Sequence, residues 1–374
     1  MQVQAAVLHA PQGALALETL TLEIPRDDEI RVRLVATGVC HTDIAMMGRP
    51  FPVQKPIVLG HEGAGIVESV GCSVTKVKPG DRVVMSYNFC GECPSCHDHA
   101  TSYCHNFAGT NFVGLRKDGS AALSLGGQAV RHNFFGQSSF ATHCLCTEKN
   151  VVKVPDEVSD QTFELLGPLG CGIQTGAGAV INVLKPQLGQ SLVVFGAGAV
   201  GLAGVMAAKA IGVGILIAVD KVPQRLALAR ELGATHTIDV SQTPDVATQI
   251  KRITGHGAHF SLDTTGIPAV TRQALDALGP RGVCGFVGGA AVGAELAVDV
   301  RDMMIQGKTL RGIVEGDANA DVFIPTLIQM HLQGLFPLEK LVRMYAFEQI
   351  NEAIADSKSG ATVKPILKFT TPTT

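Results

Sequence analysis

The sequence predicts an α/β protein in two parts, a doubly wound parallel sheet and a small antiparallel β-domain or barrel. From about residue 173, short apolar strands alternate with helices at a regular interval. A glycine-rich turn, Gly196-Ala197-Gly198-Ala199-Val200-Gly201, joins the first of those strands to its helix. Residues 1 to about 85 instead alternate apolar and polar residues in short runs broken by Gly and Pro. At 374 residues the chain is long for a single core, so two domains are expected.

In the first part, Ile30-Arg31-Val32-Arg33-Leu34-Val35 and Gly65-Ile66-Val67-Glu68-Ser69-Val70-Gly71 read as half-buried strands. Pro79-Gly80-Asp81 makes the turn before Arg82-Val83-Val84-Met85. Residues 86–140 are loop-rich. The second part predicts strands at 191–195, 215–220, 235–240, 260–263 and 283–287, with helices at 199–211, 223–232, 245–253 and 269–278. The last sixty or so residues return to the mixed style of the beginning, so the parallel-sheet domain reads as an insertion between two pieces of the other.

Charged residues make up 17% of the chain and the net charge is −3, which leaves no basic stripe for nucleic acid and no charged tail. Small molecules are the expected partners. The start of the chain carries neither a basic region nor a continuous apolar run, so a cytoplasmic protein is expected. Two uncharged stretches, 165–184 and 191–208, are nearly long enough to span a bilayer, but Gly or Pro breaks both. They read as buried strand and helix, and no membrane association is expected.

Chemistry concentrates in Cys40-His41-Thr42-Asp43 and Gly60-His61-Glu62-Gly63-Ala64-Gly65, with a further soft ligand at Cys171. Two thiolates and one imidazole, Cys40, Cys171 and His61, would leave a tetrahedral zinc one open position for water or a substrate oxygen. Glu62 could visit the ion during ligand exchange, and Asp43 suits a partner for His61 behind the metal. Thr42 offers a hydroxyl to take an alcohol proton onward, because an alcohol on such a centre ionises near neutral pH. Any one of the three ligands alone would read better as an ordinary core residue; together with a dinucleotide motif they point to metal.

Four of the ten cysteines, Cys90-x2-Cys93-x2-Cys96-x7-Cys104, are too tightly spaced for two ordinary disulfides and suit a closed zinc lobe over about 86–110. His97, His99 and His105 stand beside them and could replace one thiolate, though the four cysteines already complete a tetrahedron. Cys72, Cys144, Cys146 and Cys284 read as core thiols.

In the glycine turn, Gly196 allows the tight bend, Gly198 lets a pyrophosphate approach the backbone, and Gly201 lets the helix pack on its strand; Val200 lies between them. Asp220 ends the second strand 19 residues after Gly201, where an acid accepts hydrogen bonds from the adenosine ribose. A carboxylate there repels a 2′-phosphate, so the expected cofactor is NAD and not NADP. Lys221 and Arg225 could partly blunt that choice, or simply form a solvated helix start.

Together these residues resemble the zinc-containing alcohol dehydrogenases of the medium-chain dehydrogenase/reductase family, over essentially the whole chain. Gly60 to Gly65 with Gly71 and Val74 match its zinc signature, the four-cysteine spacing its structural lobe, and Gly196 to Gly201 its coenzyme turn. The resemblance implies a GroES-like β-barrel catalytic domain from residues 1–172 and 314–374, and a Rossmann domain from 173–313. It also implies NAD, two zinc ions per subunit, and a homodimer or homotetramer. Cys40-His41-Thr42-Asp43, the segment 133–140 and the segment 166–176 look like the benzyl (aryl) alcohol and geraniol dehydrogenase branch, which implies reversible oxidation of aryl or allylic primary alcohols to aldehydes. In that setting His41 and Lys364 would lie near the cofactor pyrophosphate, and Phe51, Phe134 and Phe135 in regions that line the substrate channel.

One departure is Ile44-Ala45-Met46-Met47 where some relatives place a histidine that ends the proton relay, so the relay from Thr42 needs another terminus. Glutathione-dependent formaldehyde dehydrogenase is a second reading on the same scaffold, but His105-Asn106-Phe107-Ala108-Gly109 offers no cationic anchor for a glutathione carboxylate. A nonenzymatic zinc and dinucleotide binder is a third.

Overall fold

The computed structural model describes residues 1–48 and 53–370. Two units emerge, one from Met1–Cys171, Asn319–Ile328 and Leu338–Thr374, the other from Gly172–Ala318 and Gln329–Pro337. The stretch 329–337, the end of the helix Ala320–Leu332 and the turn after it, packs with the second unit.

The first unit holds two sheets. One pairs Gln2–Leu8 with Ala16–Leu22 and with Ile57–Val58, and continues through the hairpin Leu123–Leu125 and Gln128–Val130. The other is centred on Glu29–Gly38, which pairs antiparallel with Gly63–Val70, His143–Thr147 and the late strand Lys364–Lys368. Alternation along these strands buries Ile30, Val32 and Leu34 on one side and leaves Arg31 and Arg33 on the other, where both face Glu68.

In the second unit six parallel strands run in the order His236–Asp239, Ile215–Asp220, Ser191–Phe195, Ala258–Asp263, Leu278–Phe286, Thr309–Gly312. The order reverses at Ser191–Phe195, the first strand in sequence, and this switch point opens a crevice at the carboxyl ends of the strands. There the register sets Phe195 beside both Val219 and Asp263, so Gly196, Asp220 and Thr264 meet at one end of the sheet.

The uncharged stretch 165–184 resolves into a 3-10 turn, the helix Gly172–Gly178 and a wider π-type turn, and 191–208 into strand and helix. Among the described residues no helix is long and apolar enough to cross a membrane. Cys144, Cys146 and Cys284 are buried as expected of core thiols, but Cys72 is exposed. It falls in the turn after Gly63–Val70, where the chain leaves the sheet and no second layer covers it.

An ionic cluster centred on the buried Arg116 joins Glu29, at the start of the strand Glu29–Gly38, to Glu23. The Arg116 guanidinium donates to Glu29 at 2.7 and 2.9 Å and to Glu23 at 2.5 Å. Glu29 is held below the usual carboxylate range, the Arg116 bonds outweighing the burial that opposes them. Beside it His132 stays neutral; burial, helped by the Arg116 charge, pushes its imidazole down to about 4. Between pH 6.5 and 4 the unfolded chain therefore takes up a proton that the folded chain refuses, and stability falls as pH drops through that window. The loss is on the order of 3 kcal/mol. His132→Gln, which keeps an acceptor for the Ala122 N-H, should flatten this part of the stability profile; parallel pH profiles of urea unfolding for the two proteins would contradict the assignment.

Candidate active site and metal centres

Cys40 follows the central strand Glu29–Gly38 and directly precedes the helix His41–Gly48. His61 and Glu62 immediately precede Gly63–Val70, and Cys171 follows the turn Gly167–Gly170. The ligand atoms of Cys40, His61, Glu62 and Cys171 all lie within 4.8 Å of one another, and all four residues are buried.

A wholly buried carboxylate holds this group together. Asp43 Oδ2 accepts from the Cys40 N-H at 3.0 Å; its Oδ1 accepts from the Gly60 N-H at 3.0 Å and faces His61 Nδ1 at 2.9 Å. Gly60 is obligatory, since its φ of +91° and the closeness of Phe140 leave no place for a Cβ. With Nδ1 engaged, His61 keeps Nε2 as a buried atom with no hydrogen-bond partner. Such an atom is costly unless something accepts its lone pair, and two thiols within reach make a soft metal ion the natural acceptor. The hydrogen bond with Cys171 holds the Cys40 thiol well below its usual range, against the effect of burial and with help from the charges of His61 and Lys364.

Glu62 is wholly buried too, and burial pushes its carboxyl up to about 7. Its counter-charge is Lys364, whose Nζ lies 2.9 and 2.8 Å from the two carboxylate oxygens and donates to the Val39 carbonyl at 3.3 Å. Burial alone would lower the Lys364 ammonium, but Glu62 and Cys40 outweigh it and hold it above its usual range. Lys364, expected beside a pyrophosphate, is thus engaged with Glu62. A carboxylate buried within ligand distance of a metal needs a compensating cation.

The lobe forms a second cluster in which the ligand atoms of Cys90, Cys93, Cys96 and Cys104 lie within 4.8 Å of one another, and none of His97, His99 or His105 belongs to it. Backbone N-H groups aim at its sulfurs, from Cys90 to Cys104 Sγ at 3.3 Å and from His105 to Cys93 Sγ at 3.4 Å. Four thiolates with N-H support suit a closed structural zinc.

In the second unit Gly196 has a φ of +89°, and a side chain there would strike Thr264. A Cβ on Gly201 would collide with the Gly196 carbonyl, whereas one on Gly198 would meet nothing. The glycines therefore close the turn on two sides and leave the third open, as a pyrophosphate cradle at the start of the helix Ala199–Ala210 requires. Asp220 is mostly buried and accepts from the N-H groups of Ala197 at 2.6 Å, Lys221 at 2.8 Å and Val222 at 2.9 Å. Arg225, in the first turn of Pro223–Glu231, has a buried Nε with no hydrogen-bond partner.

The family described as alcohol dehydrogenase GroES-like domain matches residues 26–156, and that described as zinc-binding dehydrogenase matches residues 199–330. The chain is 46% identical over 370 residues to geraniol dehydrogenase from Castellaniella defragrans, covering 99% of this chain and 98% of that protein. It belongs to the zinc-binding alcohol dehydrogenases. Among solved structures it is similar to an alcohol dehydrogenase zinc-binding domain protein from Burkholderia ambifaria, at 50% identity and a TM-score of 0.96, covering 99% of this chain and 100% of that one. Benzyl alcohol dehydrogenase from Acinetobacter calcoaceticus matches at 46% identity and a TM-score of 0.94, with the same coverage.

Placed in this alcohol dehydrogenase scaffold, the other expected residues divide. Thr42 is half-buried in the first turn of His41–Gly48, and His41 is exposed at that helix's start. Phe51 lies outside the described residues. Phe134 and Phe135 are buried and pack on His61, with ring centroids 5.5 and 4.5 Å from the imidazole. Phe135 adopts a left-handed backbone, φ +52° and ψ +32°, which costs a bulky residue on the order of 1–3 kcal/mol. Gln137 has no expected role in the sequence reading, yet it braces the site: its Nε2 donates to the His61 and Ser86 carbonyls at 2.9 and 3.2 Å, and its Oε1 accepts from the Gly63 N-H at 3.1 Å. Its position inside the segment 133–140 was the only signal.

Asp43→Asn leaves a single acceptor oxygen where three donors converge, so catalytic-site zinc affinity should fall about 10–100-fold while lobe zinc stays bound. Chelator competition on purified protein checks this; equal affinity for variant and parent would exclude Asp43 from orienting the ligands.

Proposed function

We propose that this zinc alcohol dehydrogenase interconverts aryl or allylic primary alcohols and their aldehydes with NAD, in the manner of benzyl alcohol and geraniol dehydrogenases. The observation that carries the chemistry is the convergence of Cys40, His61 and Cys171 around the unpartnered Nε2 of His61. Cys40, His61 and Cys171 would hold a zinc ion, whose chemistry would be to make an alcohol oxygen more acidic while a nicotinamide would take up the hydride.

The protein's own groups do the rest. Asp43 fixes the His61 tautomer and leaves Nε2 free for the metal. Thr42 takes the alcohol proton at its hydroxyl. Glu62, kept buried by Lys364, stands within ligand distance as a spare donor for ligand exchange. Gly196, Gly198, Val200 and Gly201 cradle the pyrophosphate, Asp220 binds the adenosine ribose, and Arg225 flanks it.

The substrate class rests on the two relatives, which share nearly the whole chain with this protein and are named for geraniol and benzyl alcohol. None of the ten cysteines forms a disulfide, which suits a reducing, cytoplasmic setting.

An exposed apolar face of the second unit supports a homo-oligomer, a dimer or tetramer. Its helix Val300–Gln306 exposes Val300, Met304 and Ile305. Apolar surface of this kind is covered in stable proteins.

In a steady-state panel of benzyl, geranyl, ethyl and secondary alcohols with both cofactors, benzyl or geranyl alcohol with NAD should give the highest kcat/KM, and Asp220→Gly should narrow the NAD over NADP preference. A secondary alcohol in first place would overturn the substrate class, and an unchanged cofactor ratio would remove Asp220 from its role. Met304→Glu should shift sedimentation toward a smaller species, and an unaltered profile would move the subunit contact elsewhere.

A further inference from the structure

We infer that Phe135 is a positioning residue for the catalytic metal ligand His61, its ring laid flat on the imidazole by a backbone held in the left-handed region for that purpose. This rests on the reading of His61 as a zinc ligand and adds a device that sets the orientation of its ring.

The geometry is specific. The Phe135 and His61 rings are 4.5 Å apart between centroids and 26° from parallel, while Phe134 meets the same imidazole edge-on, 5.5 Å away at 80°. Phe135 is itself backed by Phe112, 5.3 Å away at 86°, so its ring has little freedom to slide off. The imidazole is then fixed by Asp43 on Nδ1, by one ring on a face and by another near its edge. Only Nε2 is left to point at a ligand.

Ordinary core packing does not require this arrangement. A turn that needs positive φ takes Gly or Asn at least cost, yet here a phenylalanine occupies it, followed by Gly136 at +67° and Ser138 at +53°. Strained backbone persists only where its surroundings over-determine it, and these do. Asn150 Nδ2 donates to the carbonyl of Gly136 at 3.0 Å; Ser138 Oγ accepts from the Phe134 N-H at 3.0 Å and donates to the Val58 carbonyl at 2.6 Å. Gln137 ties the loop to the backbone on both sides of Glu62, at the His61 carbonyl and the Gly63 N-H. The loop and the ligand therefore move as one piece.

A flat ring over the imidazole does two things for metal binding. It keeps water from the face of His61, so the bond to Asp43 stays dry and strong. It also sets an electron-rich face against a ring that becomes electron-poor when its nitrogen donates to a cation, so the stack tightens as the metal binds.

The test compares Phe135→Leu and Phe135→Met, two ring-free side chains of which the second adapts its packing, with Phe135→Tyr, which keeps the face, and Phe134→Leu, which removes the edge contact. Each is made as full chain and loaded with zinc or cobalt. The ring-free variants at 135 should release catalytic-site metal to a chelator about tenfold faster than the parent and shift the visible bands of the cobalt form. Lobe metal should leave at the parental rate, Phe135→Tyr should match the parent, and Phe134→Leu should change release less than threefold. Parental release and spectra in either ring-free variant, or equal effects at 134 and 135, would overturn the inference. His61→Asn probes the underlying reading separately: if it retains both metals, His61 is not a ligand, whatever the variants at 135 do.

Discussion

The catalytic unit depends on one wholly buried carboxylate and the three nitrogen atoms gathered around it. Asp43 is not one of the four clustered ligand residues, yet it binds the backbone before the first helix, the backbone at Gly60 and the ring of His61. Two segments separated by some twenty residues are thereby pinned to one point, which brings Cys40 and His61 within reach of a single ion. Isolated burial of that charge would be prohibitive; three nitrogen neighbours make it a fixed node. Around this node the site builds outward, with Lys364 balancing Glu62 and Gln137 bracing the His61 carbonyl.

The nucleotide unit solves a similar problem by other means. Asp220 is tethered by N-H groups on both sides, and one of these, from Ala197, belongs to the glycine turn itself. The acid expected to read the ribose also fastens the loop expected to cradle the pyrophosphate. One side chain thus ties the end of the second strand to the glycine turn, and a substitution at Asp220 also loosens that turn.

What the sequence disclosed follows from locality. Five of the six strands of the parallel sheet were legible because each is a short apolar run with its own turn signals, while the sixth, Thr309–Gly312, with Arg311 inside it, carries no such run; the two candidate metal clusters were legible because most of their residues fall in compact motifs. Contacts between distant segments were not. Lys364 meets Glu62 across 302 positions, and no local pattern announces that partnership. Gln137 lay within a recognisable motif, but only the fold shows that its amide spans the backbone around His61. Cys72 was misread because a thiol in an apolar-looking run passes for core unless one knows that the strand has already ended. Phe134 and Phe135 were legible as aromatic, while the stacking of Phe135 on His61 depends on a left-handed residue that nothing in the sequence marks.

The late strand Lys364–Lys368 completes the central sheet by pairing with Glu29–Gly38, and its first residue supplies the cation for Glu62. On the ribosome, every residue of 172–318 is made before that strand exists. The parallel-sheet unit can therefore mature while the zinc-binding unit still has a gap in its sheet and an uncompensated acid at its heart. Synthesis order thus delivers the cation for Glu62 only after every strand of the parallel sheet has been made.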